Sequence, residues 1–282
     1  MPRRPVTLGL ALVLAVVTAC TPATGGDRDA PVASPASPPA RPAAAGCYDE
    51  VTPIAPPTPR AVVRCADRHL AETYHVGGPA AGEPAERAAV ADCTRHADAF
   101  LGGPWRTGPF TVQPVLPSAE ARTAGARWHR CDLVQIDLLH GTAVVRTDSL
   151  RGALTGAAPL RLRCFDAVMT AEDRLESLTP APCDRPHDAE FAGPWDAPAD
   201  LAHDRIFDDP RTASGCRGAI AGFLGLPDDD ELADRVGWLG LALGRAEWDL
   251  GLRTLQCLFW ADDGPVTGSY RDAGPDQFPV GD

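Results

Sequence analysis

Eight of the nine cysteines in this 282-residue chain repeat one spacing order. They stand at positions 47, 65, 93, 131, 164, 183, 216 and 257. The intervals are 18, 28 and 38, then a break of 33, then 19, 33 and 41. Short, medium and long occur in that order twice. A chain with this pattern is expected to close each set of four cysteines into its own small unit.

The residues around the cysteines repeat as well. Cys47-Tyr48-Asp49 matches Cys164-Phe165-Asp166. The element Cys65-x3-His69-x2-Glu72 matches Cys183-x3-His187-x2-Glu190. After the third cysteine, Phe100-Leu101-Gly102 matches Phe223-Leu224-Gly225. Gly125-x-Arg127 before Cys131 matches Gly251-x-Arg253 before Cys257. Thr147-x-Ser149-x-Arg151 matches Thr267-x-Ser269-x-Arg271. Five colinear matches mark a tandem duplication, with unit one over 47–153 and unit two over 164–273.

Each unit carries one helix signal. In unit one, Glu83-Pro84 opens it, Val90, Cys93, Ala97, Phe100 and Leu101 share a face, and Gly102 ends it. In unit two, Asp209-Pro210 opens it, Cys216, Ile220, Phe223 and Leu224 share a face, and Gly225 ends it. Strand signals lie at 60–64, 110–116 and 236–243. Residues 131–138 and 142–146 read as a hairpin about His140-Gly141. A shorter one reads from 255–260 through Asp262-Asp263-Gly264 to Val266. The expected fold is α+β: two tandem disulfide-stapled units, each a small antiparallel sheet packed against one main helix.

Composition places the chain in a compartment. Proline (29) and glycine (27) exclude a mostly helical bundle. The formal net charge of -12, with no lysine, argues against a nucleic-acid partner. Residues 1–19 read as a lipoprotein signal peptide: Arg3 and Arg4, an apolar run from Val6 to Val17 too short to span a bilayer, and small residues before Cys20. Cys20 is the expected lipidation site, and two acyl chains give a stable anchor. Loss of Arg3 and Arg4 leaves the rest still more acidic, so the anchor and not charge would hold the protein at the extracytoplasmic membrane face. Residues 20–46 are rich in proline and alanine and read as a tether. Residues 274–282 read as a flexible tail.

In an exported chain, Cys47, Cys65, Cys93, Cys131, Cys164, Cys183, Cys216 and Cys257 read as a disulfide framework. Four cysteines per unit allow three pairings, which sequence does not decide. Nearest-neighbour pairing is preferred because it closes the shortest loops. Cys65, His69 and Glu72 could instead ligate zinc, but the paired spacing of structural zinc sites is absent and export favours oxidation. No metal and no cofactor is expected. No phosphate-binding loop, nucleophile elbow or calcium loop is present, and no catalytic residue is assigned.

These residues resemble the septum formation-related domain of actinobacterial lipoproteins and membrane proteins. The resemblance rests on the lipid-attachment motif, Cys-x3-His-x2-Glu, the helix ending Phe-Leu-Gly, Gly-x-Arg-x3-Cys and Thr-x-Ser-x-Arg. It covers nearly all of 47–273 as two copies. It implies a link to cell division and transfers no biochemical activity. Such domains carry a tryptophan shortly before the Gly-x-Arg turn. Unit two has Trp248 there, whereas unit one has Arg122, with Trp128 following the glycine.

His69 with Glu72, and His187 with Glu190, are the candidate polar sites. On a strand, positions three apart face opposite ways; in a turn they converge. One reading is an acid–base or ligand-binding pair. The other is structural, with each histidine bonded to a backbone carbonyl, Glu72 paired with Arg127 and Glu190 with Arg253. The favoured function is a non-enzymatic, membrane-tethered binding or scaffold module with an envelope or cell-division protein as partner. The alternative is a cell-envelope hydrolase or metal-dependent enzyme using the His/Glu pairs.

Overall fold

The stretch around the last cysteine of each unit is buried on both faces, from His129 to Val134 and from Thr254 to Phe259. Side chains alternate across a strand, so such a segment must lie inside a sheet and be covered on both sides. In the computed structural model this holds for both units. The structure describes residues 40–52, 54–55, 62–79, 85–155, 159–229, 231–232, 236–261 and 264–277. Unit one contains β1 Gly46–Tyr48, β2 Ile54–Ala55, β3 Ala71–Gly77, α1 Ala85–Leu101, β4 Phe110–Pro117, α2 Ala119–Thr123 and β5 His129–Gln135. Unit two contains β6 Cys164–Met169, β7 Leu175–Ala181, β8 Ala189–Asp196, α3 Pro210–Leu224, β9 Gly237–Ala242, α4 Arg245–Asp249, β10 Thr254–Trp260 and α5 Gly274–Gln277.

The sheets have strand orders β1-β3-β5-β4-β2 and β7-β6-β8-β10-β9. Four strands correspond one to one: β1-β3-β5-β4 with β6-β8-β10-β9. In each unit the last strand inserts antiparallel between the two strands that flank the main helix. The register agrees to the residue. His75 opposes Cys131 and Gly193 opposes Cys257, and Tyr74 and Ala192 are skipped at the same point of the ladder. A shared bulge at one position is hard to reach independently, so it supports a common origin for the two units. Additions lie at the edges: β2 runs parallel to β4, and β7 forms a hairpin with β6.

The main helices lie where the apolar spacing puts them. Asp209 caps α3 by accepting from the Arg211 N–H, Pro210 occupies its first turn, and Gly225 ends it at φ +71°. Gly102 takes φ +76° after α1. The Glu83-Pro84 opening lies outside the described residues. Cys93 and Cys216 face the sheets. Each is bonded to the central strand, Cys93 to Cys131 and Cys216 to Cys257. Cys47 pairs with Cys65 and Cys164 with Cys183. Cα separations are 5.2 or 5.3 Å throughout, within the ordinary range for a cystine.

The strand signals at 110–116, 236–243 and 255–260 fall on β4, β9 and β10. The hairpins come out differently. After β5 the returning limb makes a single bridge, Ile136 to Ala143, before Arg146 crosses to His69. In unit two Val266 bridges His187 and not β10. Each limb crosses to the histidine because the residues that follow it are drawn to the buried glutamate beside that histidine. At 60–64 only a bridge from Val63 to Cys47 is described. Of the tether, residues 40–46 are described, and Arg41 donates to the Val76 carbonyl. Of the tail, Gly274–Gln277 forms one helical turn.

The two units share packing. Leu252 of unit two is 3% exposed and sits in the unit-one core with Phe100, Trp105 and Phe110. Leu138 and Leu139 of unit one pack on the unit-two cluster of Phe165, Phe191 and Leu258. The Arg106 guanidinium donates to Thr254 Oγ1 at 3.0 Å. The face of the unit-two sheet away from its helix is therefore covered partly by unit one, and Leu243 of unit two packs on the corresponding face of the unit-one sheet with Tyr48, Ala71 and Val134.

Candidate functional site

His69 and His187 lie in the turns just before β3 and β8, where the chain rotates enough for positions three apart to meet. His69 and Glu72 have polar atoms within 4.8 Å of each other and of Cys47 Sγ. His187 Nε2 lies 3.7 Å from Glu190 Oε1. The motif residues do converge. They converge inside the protein: exposures are 2% for His69, 6% for Glu72 and 1% for each of His187 and Glu190.

The glutamates' hydrogen-bond partners are the same in both units, and neither is an arginine. Glu72 accepts from Ser149 Oγ and from the Leu150 N–H, both at 2.6 Å. Glu190 accepts from Ser269 Oγ at 2.6 Å and from the Tyr270 N–H at 2.9 Å. Each serine oxygen also accepts from the next N–H but one, that of Arg151 or Arg271. Those arginines lie over Phe100 and Phe223, with 4.5 and 4.7 Å to the ring centroids. So Cys-x3-His-x2-Glu, Phe-Leu-Gly and Thr-x-Ser-x-Arg are three parts of one buried clasp. It joins the start of β3 or β8 to the far end of the unit.

The expected pairing of Glu72 with Arg127 and Glu190 with Arg253 is thus corrected. Arg127 donates to the Arg122 and Ala126 carbonyls, and Arg253 to those of Ala199 and Leu201. Both guanidiniums satisfy loop carbonyls near the Gly-x-Arg turn, where Gly125 and Gly251 have φ +96° and +101°. The histidines follow the structural expectation in one respect. Nδ1 of His69 contacts the Asp67 carbonyl and Nδ1 of His187 the Arg185 carbonyl, each at 2.8 Å. Nε2 of both rings is buried without a hydrogen-bond partner. The zinc set of Cys65, His69 and Glu72 loses its thiolate, because Cys65 is bonded to Cys47.

The unit-one tryptophan departure has a packing consequence. Trp248 is 1% exposed and donates from Nε1 to the Leu201 carbonyl. Arg122, in the corresponding place, donates to the Pro117 carbonyl and lines an open cleft of about 670 Å³ with Leu116, Arg127 and Trp128. Cys20 lies outside the described residues. No helix among the described residues is long and apolar enough to cross a membrane.

One group of polar residues escaped the sequence reading. His75, Asp92, His96 and His129 gather where α1 meets β3 and β5, beside the Cys93–Cys131 bond. They do not recur in unit two, so a comparison that looks for agreement passes over them.

No curated protein and no solved structure matches the chain. A family model described as septum formation matches residues 46–257, from β1 to the last cysteine on β10. That match takes in both sheets and all four disulfides, and on this ground the chain belongs to the septum formation family and is tied to cell division.

Proposed function

We propose that the chain is exported, lipidated at Cys20, and acts as a non-enzymatic binding or scaffold module on the outer face of the cell membrane during septum formation. The observation that carries this reading is the burial of both His/Glu pairs. A general acid or base must come within hydrogen-bond reach of its substrate. Glu72 and Glu190 are instead sealed off and taken up by a serine and a backbone N–H. What the duplication preserved is a means of closing each unit. The surfaces it encloses are left for partners, and the two units are read as copies of one ancestral domain. Anchoring is supported by the segment ending Val17-Thr18-Ala19-Cys20, and actinobacterial origin by the resemblance above.

The test is crosslinking in intact cells of the native host, with the full chain and Cys20→Ala compared. The full chain should sediment with membranes and carry crosslinked envelope protein. Cys20→Ala should appear in the soluble fraction without those crosslinks. A Cys20→Ala protein that stays on membranes after a high-salt wash contradicts the anchor. Turnover of a cell-wall substrate by the purified chain, lost on Glu72→Gln, contradicts the non-enzymatic reading.

A further inference from the structure

The polar cluster where α1 meets β3 and β5 is built around a single carboxylate. Asp92 Oδ2 lies 2.8 Å from His129 Nε2 and 3.1 Å from His75 Nε2. His96 Nε2 lies 3.8 Å from Asp92 Oδ1. The rings of His75 and His96 stack at 3.8 Å, so His96 backs the His75 ring and its own nitrogen does not converge with that of His75. Arg95 takes Oδ1 at 2.5 Å and leaves Oδ2 to His75 and His129. His129 is nearly sealed, whereas His75, His96 and Asp92 keep side-chain exposures of 26%, 46% and 20%. The site has a fixed floor and an open rim.

Hydrogen-bond accounting at His129 leaves a gap. Its Nδ1 faces the Gly78 carbonyl at 2.9 Å, and its Nε2 faces the Asp92 carboxylate. Both partners are acceptors, which an imidazolium satisfies with two N–H groups and a neutral ring with only one. In the neutral ring, an Nδ1–H bonded to the Gly78 carbonyl leaves the Nε2 lone pair directed at Asp92, and a backbone-bonded Nδ1–H is the arrangement that orients a metal-binding histidine.

The corresponding place in unit two shows what a structural role alone would use. Matched through the cysteines and the strand register, His75, Gly77, Asp92, His96 and His129 correspond to Gly193, Trp195, Gly215, Ala219 and Leu255. A Cβ on Gly215 would stand 2.2 Å from the Trp195 ring. A Cβ on Gly77 would stand 2.1 Å from the His129 ring and 2.7 Å from Asp92 Oδ2. One copy fills this volume with an indole over glycine, alanine and leucine. The other keeps a glycine open and fills it with three imidazoles and a carboxylate.

We propose that His75, His129 and Asp92 form a three-ligand binding site for a divalent transition metal of the zinc class. Their donor atoms lie within 4.8 Å of one another. Two imidazole nitrogens and one carboxylate oxygen, with a fourth position left to water, are a donor set suited to zinc, and copper(II) binds similar sets. Four-coordinate zinc, with donors at roughly 2.0–2.2 Å, holds them about 3.3 Å apart. The two separations from Asp92 Oδ2, 2.8 and 3.1 Å, lie close to that spacing. Small side-chain rotations admit the ion, with Gly78 fixing His129 from behind.

The full chain, stripped with EDTA, should bind one Zn²⁺ in a calorimetric titration, and added Zn²⁺ should raise its melting temperature. Cobalt(II) in its place should give the visible band of a four-coordinate ion. His75→Ala, at the exposed rim, should weaken Zn²⁺ binding about tenfold or more. His140→Ala, at an exposed turn beside Asp137, should bind as the parent does. Circular dichroism shows which variants are folded, and competition with a chromophoric chelator serves any that are not stable to calorimetry. Absence of stoichiometric Zn²⁺ binding, or binding that survives His75→Ala unchanged, overturns the proposal.

Discussion

Glu72 and Glu190 are buried carboxylates with a serine and a backbone N–H as their hydrogen-bond partners. That arrangement was hard to read from the sequence. Ser149 and Ser269 lie far along the chain from their glutamates, and a single sequence shows that two elements both repeat without showing that they touch. The same units use opposite chemistry one strand over. In unit one Asp132, 2% exposed, is held by Arg130 at 2.6–3.0 Å and by Thr73 Oγ1 at 2.6 Å, with Arg130 over the Tyr48 ring. In unit two those places hold Leu258, Gln256, Phe191 and Phe165. Arg130→Ala strands a buried carboxylate and should cost about 3–5 kcal/mol in denaturant unfolding. The double change Arg130→Gln with Asp132→Leu copies unit two and should recover most of that loss, since replacing a buried pair by apolar groups is often neutral. A double variant no more stable than Arg130→Ala would show that the polar set itself is required.

At the scale of elements, the helices and the central strands were legible because their apolar residues recur at fixed periods. The strands β3 and β8 were less so. Ala71–Gly77 is buried at both ends and on both faces and carries Glu72, Thr73 and His75, so no alternation shows. The returning limbs after β5 and β10 read as hairpins because local turn residues are visible, whereas the distant clasp that captures them is not. The cysteine pairing had three solutions per unit on paper. Geometry selects one, because each main helix carries its cysteine on the sheet-facing side, opposite the central strand. Digestion without reductant should therefore yield Cys47–Cys65, Cys93–Cys131, Cys164–Cys183 and Cys216–Cys257, with none of these eight thiols open to alkylation. A cross-link between the units, or several free thiols, would contradict the fold. Each bond closes a loop of moderate length, worth about 3–4 kcal/mol on the chain-entropy estimate.

Across the whole molecule, the clasp is what the two units share, and the rest is where they differ. Where the copies agree, the residues close a unit: cysteines, the histidine turn, the glutamate, the serine and the stacked arginine. Where they differ, unit one opens the cleft beside Arg122 and the histidine cluster around Asp92, and unit two fills both places with tryptophan. The units are also joined through Leu252. Leu252→Ala empties a unit-two side chain from the unit-one core and should cost about 2–5 kcal/mol. In calorimetry the full chain should unfold in one transition that moves down as a whole. Two separate transitions, with one unmoved, would mean that the units are independent.

The most direct test of the buried clasp is thermal unfolding of Glu72→Gln and Glu190→Gln beside the parent. The serine and the backbone N–H both present donors, and an amide can accept at its oxygen alone, so each variant leaves a buried polar group unsatisfied at about 1–3 kcal/mol. The expected result is a melting temperature lower by several degrees in both variants, as that cost implies for a domain of roughly a hundred residues or more. Unchanged melting in both, together with loss of partner crosslinking, would contradict a structural clasp and make the His/Glu pairs the working site.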